Sequence, residues 1–180
     1  MNLARTFFCG ILFLGFCCLS SVVPQSSATD APNPVSLMDR MTGDWVLQGV
    51  IANKQTTHDV QVRWVLNREY IELHEVSREK DASGKPAYEA IVYLSWDEKK
   101  QEYTCMWLDS TAGGGLSAEA LAHGKPAPDA IPVLFALSPT DKIHTTFRYD
   151  SNSDTWQWTI DNDTNGKITR FADVKLTRAK

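Results

Sequence analysis

Tyr88-Glu-Ala-Ile-Val-Tyr-Leu-Ser-Trp-Asp-Glu-Lys-Lys-Gln-Glu-Tyr-Thr-Cys-Met-Trp-Leu-Asp-Ser110 spells a strand, a tight charged turn and a second strand. The first run, Ala87 to Trp96, is rich in β-branched and aromatic residues, which suit a pleated, half-buried surface. The turn Asp97-Glu98-Lys99-Lys100 is all charge. The second run alternates, with Tyr103, Cys105, Trp107 and Asp109 on one face and Thr104, Met106 and Leu108 on the other. A period of two is the mark of a strand, because successive side chains point to opposite faces. Gly113-Gly114-Gly115 then breaks the pattern. Both faces of this hairpin are apolar enough to need cover, which points to an all-β protein.

Toward the N-terminus the same period continues. Asp44 to Ala52 carries Trp45, Leu47, Gly49 and Ile51 in one phase. His58 to Leu66 sets His58, Val60, Val62, Trp64 and Leu66 against Asp59, Gln61, Arg63 and Val65. Asn67-Arg68 interrupts, and Glu69 to Arg78 sets Ile71 and Leu73 against Tyr70, Glu72, His74 and Val76. Toward the C-terminus, Ile131 to Leu137, Ile143 to Tyr149, Thr155 to Ile160 and Lys167 to Thr177 are further strands, and Asn165-Gly166 is a strong hairpin turn. Leu116 to His123 is ambiguous: its alanines and Ser117 favour a helix, its place in the series a strand. The expectation is a strand, since propensity yields to context.

No helices alternate with these strands and no fixed-period repeat occurs. Sequential antiparallel strands must bury one face and protect their edges, and closing the sheet does both. The expected fold is an antiparallel up-and-down β-barrel of eight to ten strands with a short N-terminal helix over Ser36 to Thr42. Ser36 would cap that helix, Leu37, Met38 and Met41 would share one side, and Gly43 would end it in a left-handed conformation.

The chain has 180 residues, and residues 1–28 read as a secretory signal peptide. Arg5 supplies the positive start, Thr6 to Leu19 an uncharged apolar run, and Ser26-Ser27-Ala28 the small residues of a cleavage site. The apolar run is too short to span a bilayer, which takes about 20 residues, so no stable membrane insertion is expected after cleavage. Phe16 stands where a lipid-attachment signal at Cys17 needs a small residue, which argues against a lipid anchor. Residues 29–35 read as a Pro-containing linker and 36–180 as one barrel domain. The expected location is periplasmic or extracellular.

Cleavage removes Arg5 and no acid, leaving 17 Lys plus Arg against 22 Asp plus Glu, a net charge of −5. Neither that balance nor any basic cluster fits nucleic-acid binding. One cysteine, Cys105, remains, so no internal disulfide is possible, and Cys105 is expected to be a small core residue.

Gly43-Asp44-Trp45, after a short helix and at the head of the first strand, resembles the Gly-x-Trp opening of lipocalins and their relatives. Ser95-Trp96-Asp97, Tyr103, Trp107 and Asp109-Ser110 resemble the Gly-Tyr-Asp…Tyr…Trp-x-Asp-Ser pattern of an uncharacterised bacterial lipocalin-like family, and Val174 to Arg178 resembles its closing strand. Ser95 and Trp96 depart from the Gly and Tyr of that pattern. The resemblance implies a calycin-type barrel and carries over no catalytic residue. A related group of ten-stranded barrels binds haem through a histidine near the C-terminus; here no histidine follows His144.

No motif names a reaction. Asp161-Asn162-Asp163-Thr164-Asn165-Gly166 matches half a Ca²⁺ loop, but Ala172 stands where the closing Glu belongs, and a β-turn accounts for the same letters. Neither metal-ligand spacing nor a phosphate loop nor a nucleophile elbow occurs, so no metal or cofactor is expected. The candidate ligand-binding residues are Trp45, Trp64, Trp107, Trp158, Asp109 and Arg170, with Asp109 and Arg170 expected as an interior ion pair. The partner they imply is a small hydrophobic or amphipathic molecule. The alternatives are an enzyme drawing on Glu72, His74, Glu89 and Asp109, for instance a hydrolase or isomerase, and a structural module with a filled core.

Overall fold

The computed structural model describes residues 33–111 and 115–180. The expected signal peptide and the start of the linker lie outside these residues, as does most of the Gly113-Gly114-Gly115 turn. One helix, α1 (Pro34–Met41), precedes ten strands: β1 (Gly43–Ile51), β2 (Lys54–Val65), β3 (Tyr70–Ser77), β4 (Glu89–Asp97), β5 (Glu102–Asp109), β6 (Leu121–Gly124), β7 (Ala130–Ala136), β8 (Asp141–Asp150), β9 (Thr155–Thr164) and β10 (Lys167–Arg178). Each strand pairs antiparallel with its sequence neighbours. β1 also pairs with β10, from Trp45 opposite Arg178 to Ile51 opposite Ala172, and this closes the barrel. The expected all-β barrel is therefore present, at the upper end of the expected strand count.

The turns follow local chemistry. Ala52-Asn53 and Asn165-Gly166 each place two residues at positive φ (49° and 63°; 53° and 79°). That is the two-residue turn whose twist matches the strands it joins. The stretch that resembles half a Ca²⁺ loop is this second hairpin: Gly166 N donates to Asp163 Oδ1 at 2.9 Å, and Asp161 is taken by Arg170. The ambiguous segment resolves into both readings, a single 3-10 turn over Ala118–Ala120 and then the short β6.

The helix starts two residues earlier than expected. Asn33, not Ser36, caps it, accepting from Val35 N at 3.0 Å. Pro34 at the first helical position explains the shift, since its fixed φ suits a helix start and its missing N–H costs nothing there. Leu37, Met38 and Met41 are buried and close one end of the barrel. Gly43 does not end the helix in a left-handed turn; Thr42 caps it in extended conformation.

Gly43 has a different reason to be glycine. Its φ is +133°, and a Cβ there would lie 2.2 Å from Arg178 Nη1. The Arg178 guanidinium lies over the Trp45 ring, 3.8 Å from its centroid. It donates to Thr42 O at 2.6 Å and pairs with Asp154 at 2.9 Å. Trp45 Nε1 donates to Met41 O at 2.8 Å. The glycine and tryptophan of the opening motif and the arginine of the closing strand thus meet at one point.

Two predictions follow from this junction. Gly43→Ala should cost about 2 kcal/mol, from strained backbone and a displaced guanidinium, read as a lower denaturant midpoint. The Arg178 hydrogen bonds hold the Asp154 carboxyl below its ordinary 3.8. A depressed carboxylate stabilises the fold above its unfolded pKa and loses that contribution as pH falls. Asp154→Asn should therefore be less stable than wild type at neutral pH, and the gap should close below about pH 4, as thermal melts at a series of pH values would record.

Candidate functional site

The inner wall comprises the residues in phase with Trp45 on β1, Val60 on β2 and Leu73 on β3, and their equivalents around the barrel. The half nearest α1 is filled: Trp45, Trp156, Tyr103 and the helix residues Met38 and Met41 are almost wholly buried. Trp158 and Phe147 stack 4.7 Å apart in the same core. Two surface depressions, of about 380 and 340 Å³, are formed outside the barrel. The first is polar, around Arg148, Asp150 and Lys175. The second is apolar, around Leu66, Tyr70, Tyr93, Met106 and Leu121 on the outer face of β3 to β6.

The other half of the interior, at the end away from α1, is where polar groups gather. His58 on β2 and Glu75 on β3 both point inward and are 4% and 1% exposed. His58 Nδ1 bonds Glu75 Oε1. His58 Nε2 lies 2.7 Å from Thr56 Oγ1, and Thr56 Oγ1 donates to Glu79 Oε2 at 2.7 Å. Ser77 Oγ also donates to Glu79 Oε2, at 2.9 Å. These two hydroxyls hold the exposed Glu79 carboxyl below the usual range. A continuous chain of contacts therefore runs from the buried Glu75 through His58 and Thr56 to Glu79 at the rim.

The protons in this chain can be counted. Three links need three hydrogens; the threonine supplies one and a neutral imidazole one, while ionised carboxylates supply none. Filling every link takes one proton more than a neutral imidazole and two carboxylates hold, and with every link filled the three groups sum to −1. The hydroxyl–imidazole–carboxylate order resembles a nucleophilic triad, but the polarity is reversed. With the Thr56 hydrogen on Glu79, the hydroxyl has none left to give His58 Nε2, whereas a nucleophile's base must accept one.

Tyr88 covers this group. Its ring stacks on His58 at 5.8 Å, and its hydroxyl accepts from Trp107 Nε1 at 3.2 Å. Burial, and then the charges of Glu75 and Asp109, push its hydroxyl well above the usual tyrosine value. Trp107 in turn packs against Trp158 at 5.4 Å and Phe135 at 6.3 Å. An aromatic wall thus leads from the rim into the packed core. Opposite Glu75 on β4 stands the small Ala90, and Glu75 Oε2 is buried without a hydrogen-bond partner among the described residues. An unmet buried carboxylate oxygen is costly.

The candidate residues are divided by this geometry. Trp45 and Trp158 are core, and Trp64 lies at the helix end, where its Nε1 donates to Asp39. Trp107 belongs to the aromatic wall. Asp109 follows it on β5, with its Oδ1 taken by Thr111 N and Oγ1 at 2.7 and 2.6 Å. The expected Asp109–Arg170 pair is not formed. Register on β10 slips between Arg170 and Ala172, so Phe171 is an extra residue. The bulge reverses the phase and puts Arg170 outside, against Asp161 at 2.5 Å and Asp173 at 3.2 Å. Of the enzyme candidates, Glu72, His74 and Glu89 face outward, with Tyr93 OH on Glu72 and His74 on Glu89, both at 2.7 Å. His123 and His144 likewise pair with acids on the outer face.

His58 and Glu75 were missed as a pair, although each stands in its strand's inward phase, beside Val60 and Leu73. Cys105 is buried, and burial pushes its thiol well above the usual value, which suits core packing and not attack.

No family model matches the sequence, and no curated protein matches it. Among solved structures, the chain is similar to Rv2717c from M. tuberculosis, with a TM-score of 0.52 and 12% identity. The match covers 82% of this chain and 99% of that one. At that identity the likeness shows the fold alone.

Breaking the buried pair has a measurable signature. Glu75→Ala, which leaves Nδ1 of the buried His58 without its partner, should cost about 3 kcal/mol or more. Replacing both by leucine should cost clearly less than the sum of the single changes. A double-mutant cycle in denaturant measures both.

Proposed function

We propose that this chain is an exported barrel that binds a small, partly hydrophobic molecule in the half of its interior away from α1. The observation that carries the reading is the unpartnered, buried Glu75 oxygen at the foot of an aromatic wall. Binding sites are concave and mostly apolar, with a few placed polar groups; Trp107, backed by Phe135 and Trp158, supplies the apolar surface beneath Tyr88, and His58 and Glu75 the polar groups. The filled helix half gives the site a floor. Export rests on the leader-like sequence of residues 1–28.

Native mass spectrometry tests this on the chain purified gently from the exported fraction of its host. The expected result is a bound mass that disappears on denaturation and that Trp107→Ala weakens. A chain found only at its calculated mass would overturn the reading.

A further inference from the structure

We infer that the site takes an organic amine: a protonated amino group on Glu75 Oε2, joined to a short apolar or aryl body against the aromatic wall. This rests on the binding reading above and names the ligand's chemistry. Three observations support it. Glu75 Oε2 is a buried acceptor with no donor among the described residues, so a ligand that satisfies it must bring an N–H or O–H, and a bare carboxylate cannot. The linked Glu75, His58 and Glu79 carry a net negative charge when every contact among them holds its proton, and Asp109 adds another carboxylate close to Tyr88. The lysines in inward phase at this end, Lys54 and Lys167, sit at the tips of the β1–β2 and β9–β10 hairpins and are exposed, so neither reaches the buried oxygen.

Access follows from Tyr88. It lies just before β4, outside any strand, on a connection held by the isolated Lys80–Pro86 bridge. Turning its ring outward uncovers Glu75 above the small Ala90 and releases the Trp107 N–H. The opening so made accepts an ammonium and an aryl ring, with the ring in the place Tyr88 leaves. A buried carboxylate facing an ammonium forms a charge-assisted hydrogen bond, roughly twice as strong as a neutral one.

Three probes of one shape separate the possibilities: 2-phenylethylamine, the neutral 2-phenylethanol and the anionic 3-phenylpropanoate. Binding is read from tryptophan fluorescence and from the shifts of the His58 ring and Trp107 indole signals in NMR. The amine is expected to bind saturably and at least tenfold more tightly than either isostere. Glu75→Gln should remove that preference, while Asp59→Asn, which removes a carboxylate from the outer face, should leave it unchanged. Should Glu75→Gln fail to fold, the comparison of probes in the wild-type chain still decides. Equal or tighter binding of the alcohol or the acid overturns the amine assignment and leaves the binding reading standing. If no probe binds while native mass spectrometry shows a bound mass, the amine assignment again fails alone. An empty chain that binds no probe ends both.

Discussion

The contact between the Arg178 guanidinium and the Trp45 ring is the point on which the rest of the barrel depends. A cation over an indole face contributes about 0.5–2 kcal/mol, but its position matters more than its strength. Arg178 ends the last strand, Trp45 lies near the start of the first, and the same guanidinium reaches the helix C-terminus through Thr42 O and the β8–β9 turn through Asp154. One side chain therefore fixes strand closure, helix placement and a turn together. Gly43 is small because this guanidinium occupies the space beside it.

That junction divides the interior. With α1 pinned, Leu37, Met38 and Met41 are driven into one end, where they meet Tyr149, Trp156 and Tyr103 in a single apolar core. Burial there supplies stability and leaves no space for chemistry. At the opposite end, away from α1, the inward positions carry Thr56, His58, Glu75 and Ser77. Burying an imidazole and a carboxylate is expensive even when they are paired. A domain with so full an apolar core has no need of such a pair for cohesion, and the proposed ligand site would give it a use.

The fold was legible in the sequence because alternation is a direct record of which face is buried. Tyr103, Cys105 and Trp107 announced the inner wall, and Asn165-Gly166 announced its hairpin. The same alternation held His58 and Glu75, but their pairing lies between two strands and neither strand marks it alone. The bulge at Phe171 could not be read, because an extra residue is a property of pairing between two strands and leaves no mark in one of them. It turned Arg170 from an expected interior partner of Asp109 into an outer-face partner of Asp161 and Asp173. The helix start was legible in principle, since Asn33-Pro34 is a cap followed by a first-turn proline.

The closing seam has a consequence for the order of events in folding. The first and last strands pair over seven residue positions, and the residues they join lie more than a hundred positions apart in the chain. Such contacts make folding slow, because the entropy of closing the long intervening loop precedes any gain. Until β10 has been made and brought round, β1 keeps a bare edge, Gly43 faces no guanidinium, and α1 lacks its anchor. The chain consequently cannot close its barrel piecemeal as it emerges, because the seam waits for the last strand.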